Sequence, residues 1–129
     1  AAKVVPYIHP GNKLATLVGL NKADVNIQVG KDVAMQVAAM YPVAVDKDFV
    51  SEETRKKEFE IGREQARLEG KPENMLDKIA EGKLQKFFKE STLLNQDFVK
   101  DNKVTVRQYL QNVNKDLTVT AFKRLSLNA

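Results

Sequence analysis

The sequence predicts an α+β fold: a small antiparallel β-sheet packed on helices, with an inserted antiparallel helical hairpin of the coiled-coil type. Three observations predict it. Strand-forming segments flank a turn in the first twenty residues, a helix-periodic apolar segment follows, and an alternating segment closes the chain. Between them, residues 51–90 form a block in which half of the positions are charged. We therefore expect a single domain over residues 1–129, with 51–90 as an inserted arm.

The N-terminal twenty residues predict a β-hairpin. Strand formers at 4–8 are followed by the apolar segment Leu14–Leu20, and the turn sequence His9-Pro10-Gly11-Asn12 separates them. Pro6 has no amide hydrogen to donate to a neighbouring strand. The first strand is therefore expected at the edge of the sheet, or bulged at Pro6.

A central core helix is predicted over Asp24–Tyr41. Valines recur at steps of four, alanines flank them, and Pro42 ends the pattern. The small side chains would allow a sheet or another helix to approach this helix closely.

The block 51–90 predicts two antiparallel helices, Ser51–Glu69 and Pro72–Lys89. It carries ten basic and ten acidic residues, including all nine glutamates of the chain. Ser51 suits a helix N-cap, Gly70 the left-handed position after a helix, and Pro72 the first turn of the next helix. Few apolar side chains are available between the two helices, so the arm requires support from the body at its root, from a partner, or from both.

The C-terminal part predicts an extended or looped segment, a helix and a strand. Leu93–Asn102 is the extended segment, and Thr105 caps a short helix, Val106–Val113. Residues 117–127 alternate, which predicts a half-buried strand whose apolar face comprises Leu117, Val119, Ala121, Leu125 and Leu127. Phe122 falls on the polar face of this alternation, as an exposed contact residue would.

Composition argues against catalysis and against a metal or nucleotide cofactor. The chain has no cysteine, its one histidine (His9) lies in a turn, and its glycines are too scattered for a phosphate-binding loop. No apolar segment approaches the length of a membrane span, so a cytoplasmic protein is expected. The net charge of +4 permits nucleic-acid binding, but the basic residues outside the arm are spread singly. The chain begins Ala1-Ala2 without methionine, as a piece of a longer protein would.

Phe98 is the most conspicuous candidate for a contact residue. An aromatic side chain stands among charged neighbours in Asp97-Phe98-Val99-Lys100, after the long helix of the arm. The sequence leaves two alternatives open at this point. The ring is a buried anchor, or it is an exposed docking residue.

Nearly the whole chain resembles translation elongation factor Ts. The resemblance rests on segments in a fixed order, among them 3–9, 30–40, 70–74 (Gly-Lys-Pro-Glu-Asn), 86–90 (Lys-Phe-Phe-Lys-Glu) and 98–101 (Phe-Val-Lys-Asp). It covers the second half of that factor's core with its coiled-coil hairpin. Residues 96–100 are superficially similar to the family's Thr-Asp-Phe-Val wedge motif, but their context matches a second-half segment, which usually has proline where Asp97 stands.

The resemblance implies a guanine-nucleotide exchange factor that acts on the GTPase elongation factor Tu and is not itself an enzyme. The second half of the core would dock on the GTPase's C-terminal β-barrel domain through His9, Phe98, Val99 and Lys100. A homodimer through the hairpin or the sheet is a further expectation. The alternative function is a basic RNA-binding module of the translation apparatus, although nucleic acid is the less favoured partner.

Overall fold

The computed structural model describes residues 2–8, 10–11 and 13–126. Four α-helices and two antiparallel sheets are present in this part of the chain, which confirms the predicted α+β class. In chain order the elements are β1 (Lys3–Ile8), β2 (Leu14–Leu20), α1 (Ile27–Met40), α2 (Glu52–Leu68), α3 (Leu76–Ser91), β3 (Asp97–Phe98), β4 (Asp101–Thr105), α4 (Val106–Val113) and β5 (Val119–Ser126).

The main sheet has the strand order β1-β2-β5 and packs one face on α1. β1 lies at the edge, as Pro6 predicts, so the missing amide hydrogen leaves no gap in the ladder. Gly30 allows the close approach of α1 to β1. A methyl group built on Gly30 would come within 2.3 Å of Cγ2 of Val5. Deeper in the interface, the hydroxyl of the buried Thr16 donates to the carbonyl oxygen of Ala34 at 2.7 Å.

The predicted faces of the last strand are wrong beyond Val119. Val119 pairs with Leu20 and Ala121 with Gly19, so Thr120 is an extra residue in a β-bulge. One additional residue reverses the alternation. Phe122 therefore packs against the core, whereas Ala121 and Leu125 lie on the outer face, and Leu125 is 53% exposed. Leu127, the last residue of the predicted apolar face, lies outside the described residues.

The central helix begins later than predicted and ends as predicted. Its N-cap is Asn26, whose side chain accepts a hydrogen bond from the amide of Gln28, so residues 24–26 precede the helix. Tyr41 ends it in the left-handed conformation (φ 50°, ψ 51°), directly before Pro42.

The segment after the arm contains regular structure where the sequence predicts only an extended or looped segment. Leu93–Asn95 form a single 3₁₀ turn, and β3 and β4 then pair as a two-stranded antiparallel sheet. Thr105 caps α4 in a reciprocal capping box with Gln108, which confirms the predicted N-terminus of that helix.

One apolar core joins the main sheet, α1, the segment after the arm and α4. Its fully buried side chains come from elements far apart in sequence, so the N-terminal and C-terminal parts of the chain complete a common core. They include Val18, Leu20, Val33, Val37, Leu93, Val106 and Leu110.

The arm forms the predicted antiparallel helical hairpin, α2 against α3. Ser51 caps α2, Gly70 has the left-handed φ of +79°, and a 3₁₀ turn at Glu73–Met75 precedes α3. The seam is thin: α2 buries only Gly62 and Ala66, whereas α3 buries a residue at each step of four from Leu76 to Phe88. Close packing at Gly62 and the exposed Arg63–Asp77 ion pair (2.7 Å) complete the contact.

The body holds the arm at its root. The incoming segment at 43–45 and the outgoing segment at 91–94 run side by side and share three backbone hydrogen bonds of 2.7–3.0 Å. Arg55 of α2 donates to the carbonyl oxygens of Lys47 and Val50 and lies over the ring of Phe88, 4.9 Å from its centroid. The root therefore provides the support that the thin seam lacks.

Candidate docking site

The candidate site is the turn between β3 and β4, which presents Val99 and Lys100. Val99 is 43% exposed, and the side chain of Lys100 is 47% exposed. Phe98, by contrast, points inward and is only 3% exposed. Phe98 is thus the buried anchor of the turn, and Val99 and Lys100 form its exposed tip.

The ring of Phe98 fixes the turn to α4. It stacks on Tyr109 with the ring centroids 4.2 Å apart and the planes 20° from parallel. Of the two alternatives that the sequence leaves open for Phe98, the structure shows the buried anchor. Its part in partner binding stays a prediction, as do those of Val99 and Lys100.

A single buried glutamine of α1 fixes the backbone of the turn. Gln36 is fully buried, and its side-chain oxygen accepts from the amide of Val99 at 2.9 Å. Its side-chain nitrogen donates to the carbonyl oxygen of Asp97 at 3.1 Å and to the side-chain oxygen of Gln96 at 3.2 Å. Gln36 therefore holds the chain on both sides of Phe98.

One helical turn before Gln36, the carboxylate of Asp32 accepts hydrogen bonds from three donors. Lys100 Nζ and Gln28 Nε2 donate to its Oδ1, both at 2.8 Å, and the Tyr109 hydroxyl donates to its Oδ2 at 2.9 Å. The residue is buried (8% exposed), but its charge is matched by Lys100. This arrangement orients the Lys100 side chain along the surface beside Val99.

The pKa values of this cluster follow from the hydrogen bonds. Burial by itself raises the pKa of Asp32, but the hydrogen bonds from Lys100, Gln28 and Tyr109 outweigh it and hold the pKa below its ordinary value of 3.8. Burial, with the hydrogen bond to Asp32, raises the pKa of the Tyr109 hydroxyl. Asp32 is thus a charged structural acceptor at neutral pH, and its oxygens are already occupied by donors.

Gln28, Asp32 and Gln36 were not among the residues predicted from the sequence. They lie at steps of four on α1, so they form one polar stripe on a helix whose only other polar side chain is that of Lys31. Such a stripe on a core helix indicates buried hydrogen-bond partners, and this signal could have located the site. His9, the other predicted docking residue, lies outside the described residues.

Two further properties bear on the class of protein. Among the described residues, no group of three or more histidine, cysteine or acidic side chains could hold a metal ion. In the same part of the chain, no helix combines the length and the apolar character needed to cross a bilayer.

Comparison with known proteins gives one family. The family profile described as "Elongation factor TS" matches residues 1–129. The chain is 54% identical over 128 residues to a protein named elongation factor Ts from Porphyromonas gingivalis, and the match covers 99% of this chain and 46% of the relative. Relatives of the same name from Cytophaga hutchinsonii and a Hydrogenobaculum species are 56% and 46% identical, over 98% and 94% of the chain. The chain therefore spans about half the length of the curated relatives that it matches.

Proposed function

The chain belongs to the elongation factor Ts family, and on this premise we propose that it is the part of a cytoplasmic guanine-nucleotide exchange factor that docks on the C-terminal barrel domain of elongation factor Tu. It acts by binding and orienting, not by breaking bonds. The presentation of Val99 and Lys100 on an ordered turn is the observation that supports this proposal best. The buried ring of Phe98 and the clamp of Gln36 pre-organise that turn, so little conformational freedom is lost when a partner binds.

The roles within the turn differ by residue. Val99 supplies exposed apolar surface, and Lys100 supplies a positive charge that Asp32 keeps in place. Phe98 contributes indirectly, because its stacking on Tyr109 sets where the turn lies. His9, between β1 and β2 in sequence, completes the proposed docking set.

Docking alone does not release nucleotide. A ligand that contacts the GDP-bound and nucleotide-free GTPase equally shifts neither population, however tightly it binds. The wedge motif that the resemblance attributes to the first half of the core is absent from this sequence. We therefore expect this chain to bind elongation factor Tu and to leave the rate of GDP release nearly unchanged.

The experiment combines calorimetric binding with a GDP-release assay. Binding of the chain to elongation factor Tu, with release unchanged at saturation, supports the proposal. Val99→Asp should weaken binding by about tenfold or more, because it places an unpaired charge in the contact. Ile61→Asp, an exposed substitution on the arm, is the matched control. Strong acceleration of GDP release by the chain alone would contradict the proposed division of labour. RNA binding that falls steeply with salt, with none to the GTPase, would favour an RNA-binding module instead.

The outer face of the main sheet supports a second part of the proposal, a homodimer of this chain. The strand register places Val4, Gly19 and Ala121 in one row, with Pro6, Leu17 and Lys123 and then Ile8, Ala15 and Leu125 in the next two. Lys123 is the only charged residue of the nine, whereas the free face of an antiparallel sheet is ordinarily polar. Val4, Ile8 and Leu125 are each more than half exposed. We propose that a second copy covers this face, in preference to the hairpin, whose exposed apolar residues Ile61, Leu68 and Met75 lie in a block where half of the positions are charged.

A further inference from the structure

Arg124 of β5 differs from the other arginines in having no polar partner among the described residues. Its guanidinium carbon lies 3.4 Å from the centroid of the Tyr41 ring, which is close, parallel-type stacking distance. Its Nε is buried and finds no hydrogen-bond acceptor in this part of the chain. Each of the other four arginines donates to a carbonyl or carboxylate oxygen within the same residues: Arg55, Arg63, Arg67 and Arg107.

Tyr41, which contacts this guanidinium, has an unusual backbone conformation. It is the one non-glycine residue with positive φ among those described, and it is 62% exposed. A bulky side chain in the left-handed conformation is strained, and such strain concentrates at functional sites. Here the conformation turns the ring out of the end of α1 and under Arg124.

The surroundings of the pair resemble the centre of a protein interface. Met40 (45% exposed) and Val43 (57% exposed) flank Tyr41 with apolar surface. Tyrosine and arginine are among the residue types enriched in interface hot spots, and apolar neighbours exclude water from such contacts. A recess lined by Met40, Lys89, Glu90, Gln96 and Asp97 adjoins the patch, and Lys89 pairs there with Asp97 at 3.6 Å.

The pair also adjoins the docking turn. Arg124 pairs with Thr16, two positions from the Leu14–Ser126 pair at the end of the sheet where β1 and β2 are connected. On the other side, the carbonyl oxygen of Met40 accepts from the side chain of Gln96, which precedes the docking turn. One partner surface can therefore contact both the Arg124–Tyr41 pair and the docking turn.

We propose that Arg124, held flat by Tyr41, binds a carboxylate of an acidic side chain on the GTPase; this inference rests on the proposed function. A guanidinium presents paired N–H groups that match a carboxylate in a bidentate contact. Stacking on Tyr41 removes side-chain freedom before the partner arrives, and the partner's carboxylate supplies the counter-charge. Arg124 would thus be a specificity-determining contact of the docking surface.

The test measures the affinity of elongation factor Tu for a set of variants, each checked first by thermal melting. Arg124→Gln should weaken binding about thirtyfold, as loss of an interface hot spot does. Arg124→Lys should weaken it about tenfold, because an ammonium keeps the charge but not the planar fork. Lys78→Gln on the arm is the matched control, since it removes the same charge from an exposed position outside both proposed interfaces and should leave the affinity unchanged.

Substitutions of Tyr41 separate positioning from folding. Tyr41→Phe keeps the ring and should bind like the parent chain. Tyr41→Asn removes the ring but tolerates the left-handed conformation, so it should preserve the melting temperature and weaken binding about fivefold or more. Raising the salt concentration should weaken binding of the parent chain to the GTPase more than binding of Arg124→Gln. The contact that this variant lacks is the electrostatic one, which salt screens.

The outcomes distinguish the two proposals. If the parent chain binds the GTPase and both Arg124 variants bind equally well, the role of Arg124 is overturned and the docking function stands. If the parent chain does not bind at all, both are overturned. Binding of an RNA that requires Arg124, with no effect of these variants on the GTPase, would overturn the assignment of an acidic protein partner.

Discussion

At the scale of single residues, the docking turn is held in place by buried polar side chains whose donor and acceptor atoms form hydrogen bonds. Gln36 uses its amide to bind the backbone on both sides of Phe98, and Asp32 accepts from Lys100, Gln28 and Tyr109. Buried polar groups are costly when unpaired and specific when paired. The position of Val99 and Lys100 is thus determined by contacts of the turn with α1 and α4.

Removal of the Phe98 ring should destabilise the whole chain. The ring is 3% exposed and stacked on Tyr109, so Phe98→Ala should lower the free energy of unfolding by about 3–5 kcal/mol. Urea unfolding measures it. Val99→Ala, one position further along and exposed, should change the same quantity by less than about 0.5 kcal/mol. Equal effects of the two substitutions would contradict the buried-anchor geometry.

The Asp32 cluster should make stability depend on pH in the acidic range. Because the pKa of Asp32 is lower in the folded chain than its ordinary value of 3.8, its contribution is complete above about pH 4. It is lost as pH falls through the folded-state pKa. Asp32→Asn should cost about 1–2 kcal/mol at pH 7, through lost charge-assisted hydrogen bonds. The difference between parent and variant should shrink as unfolding is measured at successively lower pH; a constant difference would be inconsistent with a charged Asp32.

At the scale of elements, periodicity in the sequence predicted the helices and strands that depend on local patterns. It failed where an element depends on distant contacts. The hairpin, the core helix and the arm were predictable because alternation, steps of four, Gly70 and Pro72 are local signals. The bulge at Thr120 was not predictable, because one extra residue does not alter the sequence pattern in a recognisable way. This bulge places Phe122 against the core. The β3–β4 pair was missed because its strands are short and Gln36, 60 residues before Gln96, holds them.

Two helical glycines should respond in opposite ways to alanine. Helix propensity alone favours alanine over glycine by about 1 kcal/mol. Gly82 on α3 has open space where the methyl group of an alanine would stand, so Gly82→Ala should raise the free energy of unfolding by about that amount. Gly30→Ala places the methyl group 2.3 Å from Val5, and overpacking of this kind costs about 1–3 kcal/mol.

Chemical denaturation of both variants measures the contrast. Gly30→Ala should unfold at a lower denaturant concentration than the parent chain, and Gly82→Ala at a higher one. Stabilisation by Gly30→Ala would mean that α1 does not pack on β1 as closely as the structure shows.

At the scale of the whole molecule, more than half of the charged residues lie on the arm, whereas most of the exposed large apolar residues lie on the body. The arm carries ten charges of each sign, whereas the rest of the chain carries the net charge of +4. The exposed apolar side chains of the body include those of the outer sheet face, those around Tyr41 and that of Val99 in the docking turn. A neutral, well-solvated arm with a body that presents apolar and basic surface favours contacts made by the body. Both proposed interfaces, with the GTPase and with a second copy, accordingly lie there.

The dimer provides the last prediction. If a second copy covers the outer sheet face, the isolated chain should self-associate as its concentration rises towards millimolar, as followed by sedimentation velocity. Leu125→Lys would then bury an unpaired ammonium between the two sheets and should abolish association. Leu68→Lys adds the same charge at the tip of the arm, where Leu68 is 79% exposed, and should leave association unchanged. If Leu68→Lys abolishes it instead, the arm and not the sheet forms the interface, and a parent chain that stays monomeric to millimolar concentration excludes both. Because Arg124 faces the opposite side of β5, Leu125→Lys should also retain its affinity for elongation factor Tu, which separates the two surfaces in a single variant.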